Sequence, residues 1–195
     1  MLPVHPPTAT PELPAAIARR GLAYFADTML LGLAYLVVTS LLDAAFGPLV
    51  VVAPEGDRLI PVEVQPLRVA FTLAVVLVVD VGYFAGSWAL AGATLFQRLA
   101  GIAVRPIQAA VVEPGEAPPR LEPGDALRRW AVMALLPLCA GLLASSGALP
   151  LVPVAAFDVV WTLGLFVTVV ADRRRRGLHD RAAGSVVVEV GKGRP

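Results

Sequence analysis

Charge is scarce in this chain of 195 residues. Asp, Glu, Lys and Arg make up 16% of it, against about 25% in a water-soluble domain. With 57% hydrophobic residues and a mean hydropathy of +0.73, an ordinary soluble domain is excluded and an integral membrane protein is indicated. The 16 basic and 15 acidic residues nearly cancel, so net charge gives no reason to expect a nucleic-acid partner. One cysteine, Cys139, lies in an apolar run and reads as core. Its solitude excludes an intramolecular disulfide framework and a multi-cysteine metal site. The first dozen residues, with Pro3, Pro6, Pro7 and Pro11, lack the apolar core of a signal peptide. Residues 1–16 therefore read as a flexible tail, and residues 191–195 as a second one.

What is abundant is apolar sequence of spanning length. A helix needs about 20 residues to cross a hydrocarbon core of about 30 Å, and four stretches qualify, over about 21–42, 67–90, 130–145 and 151–171. The third is shortest and holds Pro137, tolerated inside a bundle but expected to kink it. Basic residues in short loops stay cytoplasmic. Arg19 and Arg20 precede span one, Arg98, Arg105, Arg120, Arg128 and Arg129 lie between spans two and three, and Arg173, Arg174, Arg175, Arg176, Arg181, Lys192 and Arg194 follow span four. Only Arg58 and Arg68 fall on the other side, so both termini are expected in the cytoplasm. Tyr24, Trp88 and Trp130 sit near the cytoplasmic ends of their spans, as an interfacial aromatic belt places them.

The connections are patterned too. In the outer loop, β-type segments flank Pro54, Glu55, Gly56 and Asp57, which predicts a small extracytoplasmic β-hairpin. The inner loop opens with GATLFQRLAGIAVRP, whose first part reads as an interfacial amphipathic helix and whose end reads as a strand. Arg98, Leu99, Ala100, Gly101 and Val104 recur as Arg181, Ala182, Ala183, Gly184 and Val187. Each copy runs from a basic turn through glycine into a β-branched strand, so the two strands are placed to pair in a cytoplasmic sheet. The fold class is thus all-α integral membrane, with four transmembrane helices in a domain over 17–190 and short cytoplasmic amphipathic and β segments.

Ionisable groups inside a span cost at least about 2.5 kcal/mol each and usually face the bundle interior. Asp27 lies about 9 Å inside the cytoplasmic boundary and Asp80 about 15 Å, at 1.5 Å per residue, with Asp158 about 10 Å below the outer one. Two carboxylates facing each other in a low-dielectric site cannot both ionise cheaply, so a facing Asp27 and Asp80 would make a proton or cation site. Alternatively each carboxyl is tied to a hydroxyl or an arginine and fixes helix packing. Arg20 leans away from Asp27, so Arg128 or Arg129 is at least as good a counter-charge. Gly82 and Gly86 form a GxxxG step, read as a packing face within the chain or as a self-association face of a homo-oligomer.

Span four ends in Asp172, then Arg173, Arg174, Arg175 and Arg176. The run is a stop-transfer signal and an anionic-lipid patch, each residue being attracted by roughly 1 kcal/mol. His179 beside Asp180 offers neither a metal site nor a general base, since neighbours on a helix do not share a face and no third ligand is spaced for them. Asp180 opens a helical stretch as a cap. No nucleophile and base are spaced for hydrolysis, so an enzyme is not expected, nor a metal or other cofactor.

The strings ARRGLAYFADTMLLG, GATLFQRLAGIAV, LRRWAVMALLPL and RRRRGLHDRAAGSVVVE together resemble the RDD family of small membrane proteins, named for one arginine and two aspartates. Arg20 and Asp27 look like its arginine and first aspartate, and Asp180 in RGLHD like a further one. Where members often carry glycine and lysine, this chain has Phe96 and Gln97. The resemblance implies a multi-span bacterial membrane protein, with transport suggested for the family. A lack of asparagine and a single lysine against fifteen arginines fit a GC-rich bacterial genome and an inner or plasma membrane. Two readings stay open: movement of a small solute or cation with Asp27 and Asp80 as the proton or cation site, and a membrane-embedded interaction module in which the aspartates lock helices.

Overall fold

The computed structural model describes residues 13–55, 58–109, 118–145 and 149–190. In chain order the elements are α1 (Ile17–Phe46), β1 (Val50–Glu55), β2 (Arg58–Val64), α2 (Pro66–Ala91), α3 (Leu95–Leu99), β3 (Ile102–Pro106), α4 (Pro123–Ala144), α5 (Leu151–Ala171), α6 (Leu178–Ala182) and β4 (Ser185–Glu189). The helices α1, α2, α4 and α5 are each long and apolar enough to cross a membrane. Their outward faces are apolar, with Leu22, Phe25, Leu33 and Leu36 on α1 and Val160, Leu163 and Val167 on α5 exposed, the reverse of a protein that faces water.

Local sequence sets the boundaries. Pro66 and Pro123 begin α2 and α4 at positions where a missing N–H costs nothing. Gly92 ends α2 in the left-handed conformation at φ 71° and donates its N–H to Trp88 O at 3.1 Å. Helix α4 starts at Pro123 and not near Trp130, so Arg128 and Arg129 are helical residues and not part of a loop. The disturbance expected at Pro137 takes the form of a π-helical turn over Ala131–Leu135. Proline has no N–H to offer the carbonyl four residues back, and Trp161 Nε1 fills that place by donating to Met133 O at 3.2 Å. A second π turn, Gly82–Gly86, interrupts α2 opposite the start of α4. It carries Gly82 and Gly86, and a Cβ added at either would meet nothing within 4 Å. A Cβ at either position would thus stand in open space among the described residues.

Two small sheets flank the bundle, β1 antiparallel to β2 and β3 antiparallel to β4. In the second, the halves of the sequence repeat meet: Val104 lies opposite Val187, and Gly101 and Gly184 hold φ of 67° and 55° before their strands. Residues 13–15, grouped with the tail on sequence, extend this sheet. Ala15 N–H donates to Val187 O and Glu189 N–H to Leu13 O, both at 2.9 Å. The core lies beneath it, where Trp88, Ile102, Val104, Ala126 and Trp130 are buried. Residues 1–12 and 191–195 fall outside the described residues.

Candidate functional site

Three carboxylates organise the interior. Asp180, at the third position of α6, accepts the Gly177 N–H at 2.9 Å and so caps that helix. Glycine at 177 relieves crowding, because a Cβ there would stand 2.6 Å from His179 Cε1 and 2.9 Å from Val169 Cγ2 and force those side chains to shift. The same carboxylate, fully buried, holds Arg20 Nη2 at 2.5 Å and Arg129 Nη1 at 2.6 Å. Arg129 also donates to Ser185 Oγ at 2.9 Å and lies 4.6 Å from the Trp88 ring centroid, while Arg20 donates to the Arg175 carbonyl. One carboxylate therefore ties α1, α4 and the segment after α5. Burial pushes the Asp180 carboxyl up, but the charge of Arg129 foremost, then His179, Arg20 and the Gly177 N–H, hold it well below the usual carboxylate range. Burial lowers His179 to about 4, an effect that Asp180 opposes and the two arginines reinforce, so its imidazole is neutral at pH 7.

The neighbouring arginine run divides. Asp172 accepts the Arg176 N–H at 2.9 Å and Arg181 Nη2 at 3.2 Å. The first of these contacts is the main cause of its lowered pKa. Arg176 is thus turned back on Asp172, and Arg173, Arg174 and Arg175 are exposed. Arg128 is paired with Asp125 at 3.1 Å on the surface.

Asp27 is fully buried and, among the described residues, has no arginine partner, which corrects the counter-charge expected from Arg128 or Arg129. It is held by donors: the Tyr83 hydroxyl, the Thr94 hydroxyl at 2.6 Å and the Phe96 N–H at 3.4 Å. Thr94 caps α3 and Gln97 completes a capping box, its Oε1 accepting the Thr94 N–H and Trp88 Nε1, both at 3.0 Å. Gln97 thus serves to cap α3, and the Asp27 carboxylate at the N-terminus of that helix complements its dipole.

Asp80 belongs to a different network, accepting from the Tyr35 hydroxyl and from Trp130 Nε1. The two carboxylates are therefore not one site. Instead α1 and α2 exchange partners crosswise, Asp27 with Tyr83 and Tyr35 with Asp80. The acid that shares space with Asp80 is Asp158. Both line a cavity of about 430 Å³ together with the hydroxyl residues Tyr24, Thr28, Tyr35, Thr39 and Thr162. Asp158 Oδ1 is buried there with no hydrogen-bond partner among the described residues. A second cavity, of about 110 Å³, lies beside Arg20, Arg129 and His179. Tyr24, Phe84, Met133 and Thr162 border both cavities and form the partition between them. Phe84 and Met133 ride on the two π turns, a helical distortion that concentrates at functional sites.

Tyr35, Tyr83, Thr94 and Trp130 are donors to the two aspartates that the sequence does not signal strongly. Their signal is weak: Tyr35 and Tyr83 are polar side chains within apolar spans, and Thr94 stands just before a short helix. Compared with known proteins, the chain matches the model of the RDD family over residues 14–184. No curated protein and no solved structure matches it.

Proposed function

The chain belongs to the RDD family, and on that premise we propose a membrane protein that moves a proton or small cation through the cavity bordered by Asp80 and Asp158. The observation that carries this is a cavity of about 430 Å³ inside a set of spanning helices, lined by two carboxylates and five hydroxyl residues. Its carboxylate and hydroxyl oxygens, beside the single thioether of Met133, suit protons and hard cations, and an intramembrane carboxyl with an unpartnered oxygen is a functional feature by default. The charge bias sets the orientation, with both termini, α3, α6 and the β3–β4 sheet in the cytoplasm of a cell whose inner or plasma membrane holds the protein. The partition of Tyr24, Phe84, Met133 and Thr162 then separates a mid-membrane cavity from a cytoplasmic one. Relaxing either π turn to a regular helix rotates Phe84 or Met133 out of it. The function is transport and not catalysis. Arg173, Arg174 and Arg175 meet anionic headgroups, and Gly82 and Gly86 offer a face to a second copy.

Asp27 carries the other reading. Its carboxylate is saturated by Tyr83, Thr94 and Phe96, so its role is to lock α1 to α2 and α3. Dye-reported proton flux in proteoliposomes, driven by a panel of monovalent cations, tests the division. Asp158→Asn removes the charge without breaking a hydrogen bond to Oδ1 and is expected to abolish flux, as is Asp80→Asn. Folded Asp27→Asn protein is expected to retain it. Wild-type protein without flux, or Asp158→Asn and Asp80→Asn proteins that both keep it, would sink the proposal.

A further inference from the structure

The smaller cavity has a chemistry of its own. Arg20 and Arg129 contribute two positive charges to its border, and the carboxylate paired with both is Asp180. His179, lowered to about 4, adds none at neutral pH. One positive charge is left over in a place where Arg129 is 2% exposed and its Nε has no partner among the described residues. A buried charge without a counter-ion is costly. Below the guanidinium groups the walls are apolar, formed by Phe84, Met133, Leu165 and Phe166. Phe166 is 46% exposed on the outer surface of α5, so the cavity reaches the lipid face between α1 and α5.

We infer that this cavity binds a single-chain amphiphile with a carboxylate head, seated against Arg129 and Arg20 with its chain leaving past Phe166 into the bilayer. The charge left over is one, which a carboxylate matches. A phosphate monoester carries about −1.5 to −2 at neutral pH and overshoots. A carboxylate accepts charge-assisted hydrogen bonds from guanidinium groups. The volume of about 110 Å³ is less than the roughly 150 Å³ of an apolar cavity that admits benzene. It therefore admits a head and the first carbons of one chain but not the paired chains of a phospholipid. The inference needs neither Asp80 nor Asp158 and stands apart from the transport reading.

The test is a binding measurement on the full chain in zwitterionic micelles. Trp88 borders the cavity, so a long-chain carboxylate brominated near its head quenches tryptophan emission when it binds. The expected result is saturable quenching by the acid, none by its methyl ester, and no displacement by acetate. Gly21 also lines the cavity, and a Cβ there meets nothing within 4 Å, so Gly21→Leu puts its side chain into the space and is expected to weaken binding at least tenfold. Leu165→Phe fills it from α5 and replaces Gly21→Leu should that variant not fold. Equal quenching by the ester shows an apolar groove only and overturns the inference, as does unaltered binding in the folded, filled variant. Tighter binding of a single-chain phosphodiester overturns the head-group assignment.

Discussion

Asp180→Asn is the most informative single change outside the transport path. The replacement keeps the shape of the side chain and removes the one charge that faces two guanidinium groups. The side chains of Arg20 and Arg129 are 11% and 3% exposed and that of Asp180 is fully buried, so solvent does not screen what remains. Breaking a buried pair by neutralising one partner costs about 3–5 kcal/mol. For a chain of this size that lowers the melting temperature by roughly 6–20 °C. The loss also has a location. Asp180 joins the segment after α5 to α1 and α4, so its removal loosens the backbone that carries the exposed Arg173, Arg174 and Arg175 and speeds tryptic cleavage there. Thermal unfolding in detergent and the rate of tryptic cleavage in that run read the two effects. Asp125→Asn is the control, because its pair with Arg128 is 35% and 71% exposed and such pairs contribute about 0–1 kcal/mol. An Asp180→Asn protein that melts and is cleaved like the wild type would refute the argument that this carboxylate holds the fold.

The four spans were legible because the bilayer imposes a length and a composition, and both can be read from a single chain. The small sheet was legible for a different reason. The repeat that begins at Arg98 and at Arg181 encodes the same turn, left-handed glycine and strand twice, and the strands it places at Val104 and Val187 pair. Depth along a helix was also readable, but the direction a side chain faces was not. Asp27 and Asp80 lie at comparable depths, yet α1 and α2 are antiparallel, and the tyrosine that each aspartate reaches is on the other helix. The π turn at Gly82–Gly86 changes the phase of α2 between Asp80 and the residues after it, and no composition rule signals where such a turn falls. Arg129 pairs with Asp180 across fifty residues of sequence because α4 starts at Pro123, several residues sooner than its hydrophobic run. Hydropathy marks where a helix enters lipid and says little about where it begins.

Two further perturbations test the local geometry. Gly92→Ala forces a side chain into φ 71° and puts its Cβ 2.5 Å from Arg105 Nη1, so it should lower stability by about 1 kcal/mol or more. A melting temperature unchanged from wild type would refute that placement. Acid should also weaken the fold through His179. In the folded protein burial lowers this histidine from 6.5 to about 4, so between those values the unfolded chain binds the proton and the folded one does not. Its contribution is fully present above pH 6.5 and is lost on acidification, amounting to about 3 kcal/mol by pH 4. Asp172 and Asp180 are both held below the ordinary carboxylate range, so their own losses come at lower pH and do not mimic this one. Melting curves from pH 7 to 4.5 should therefore fall steeply for the wild type and stay nearly level for His179→Gln, and parallel curves would mean that the buried imidazole is not the group that titrates.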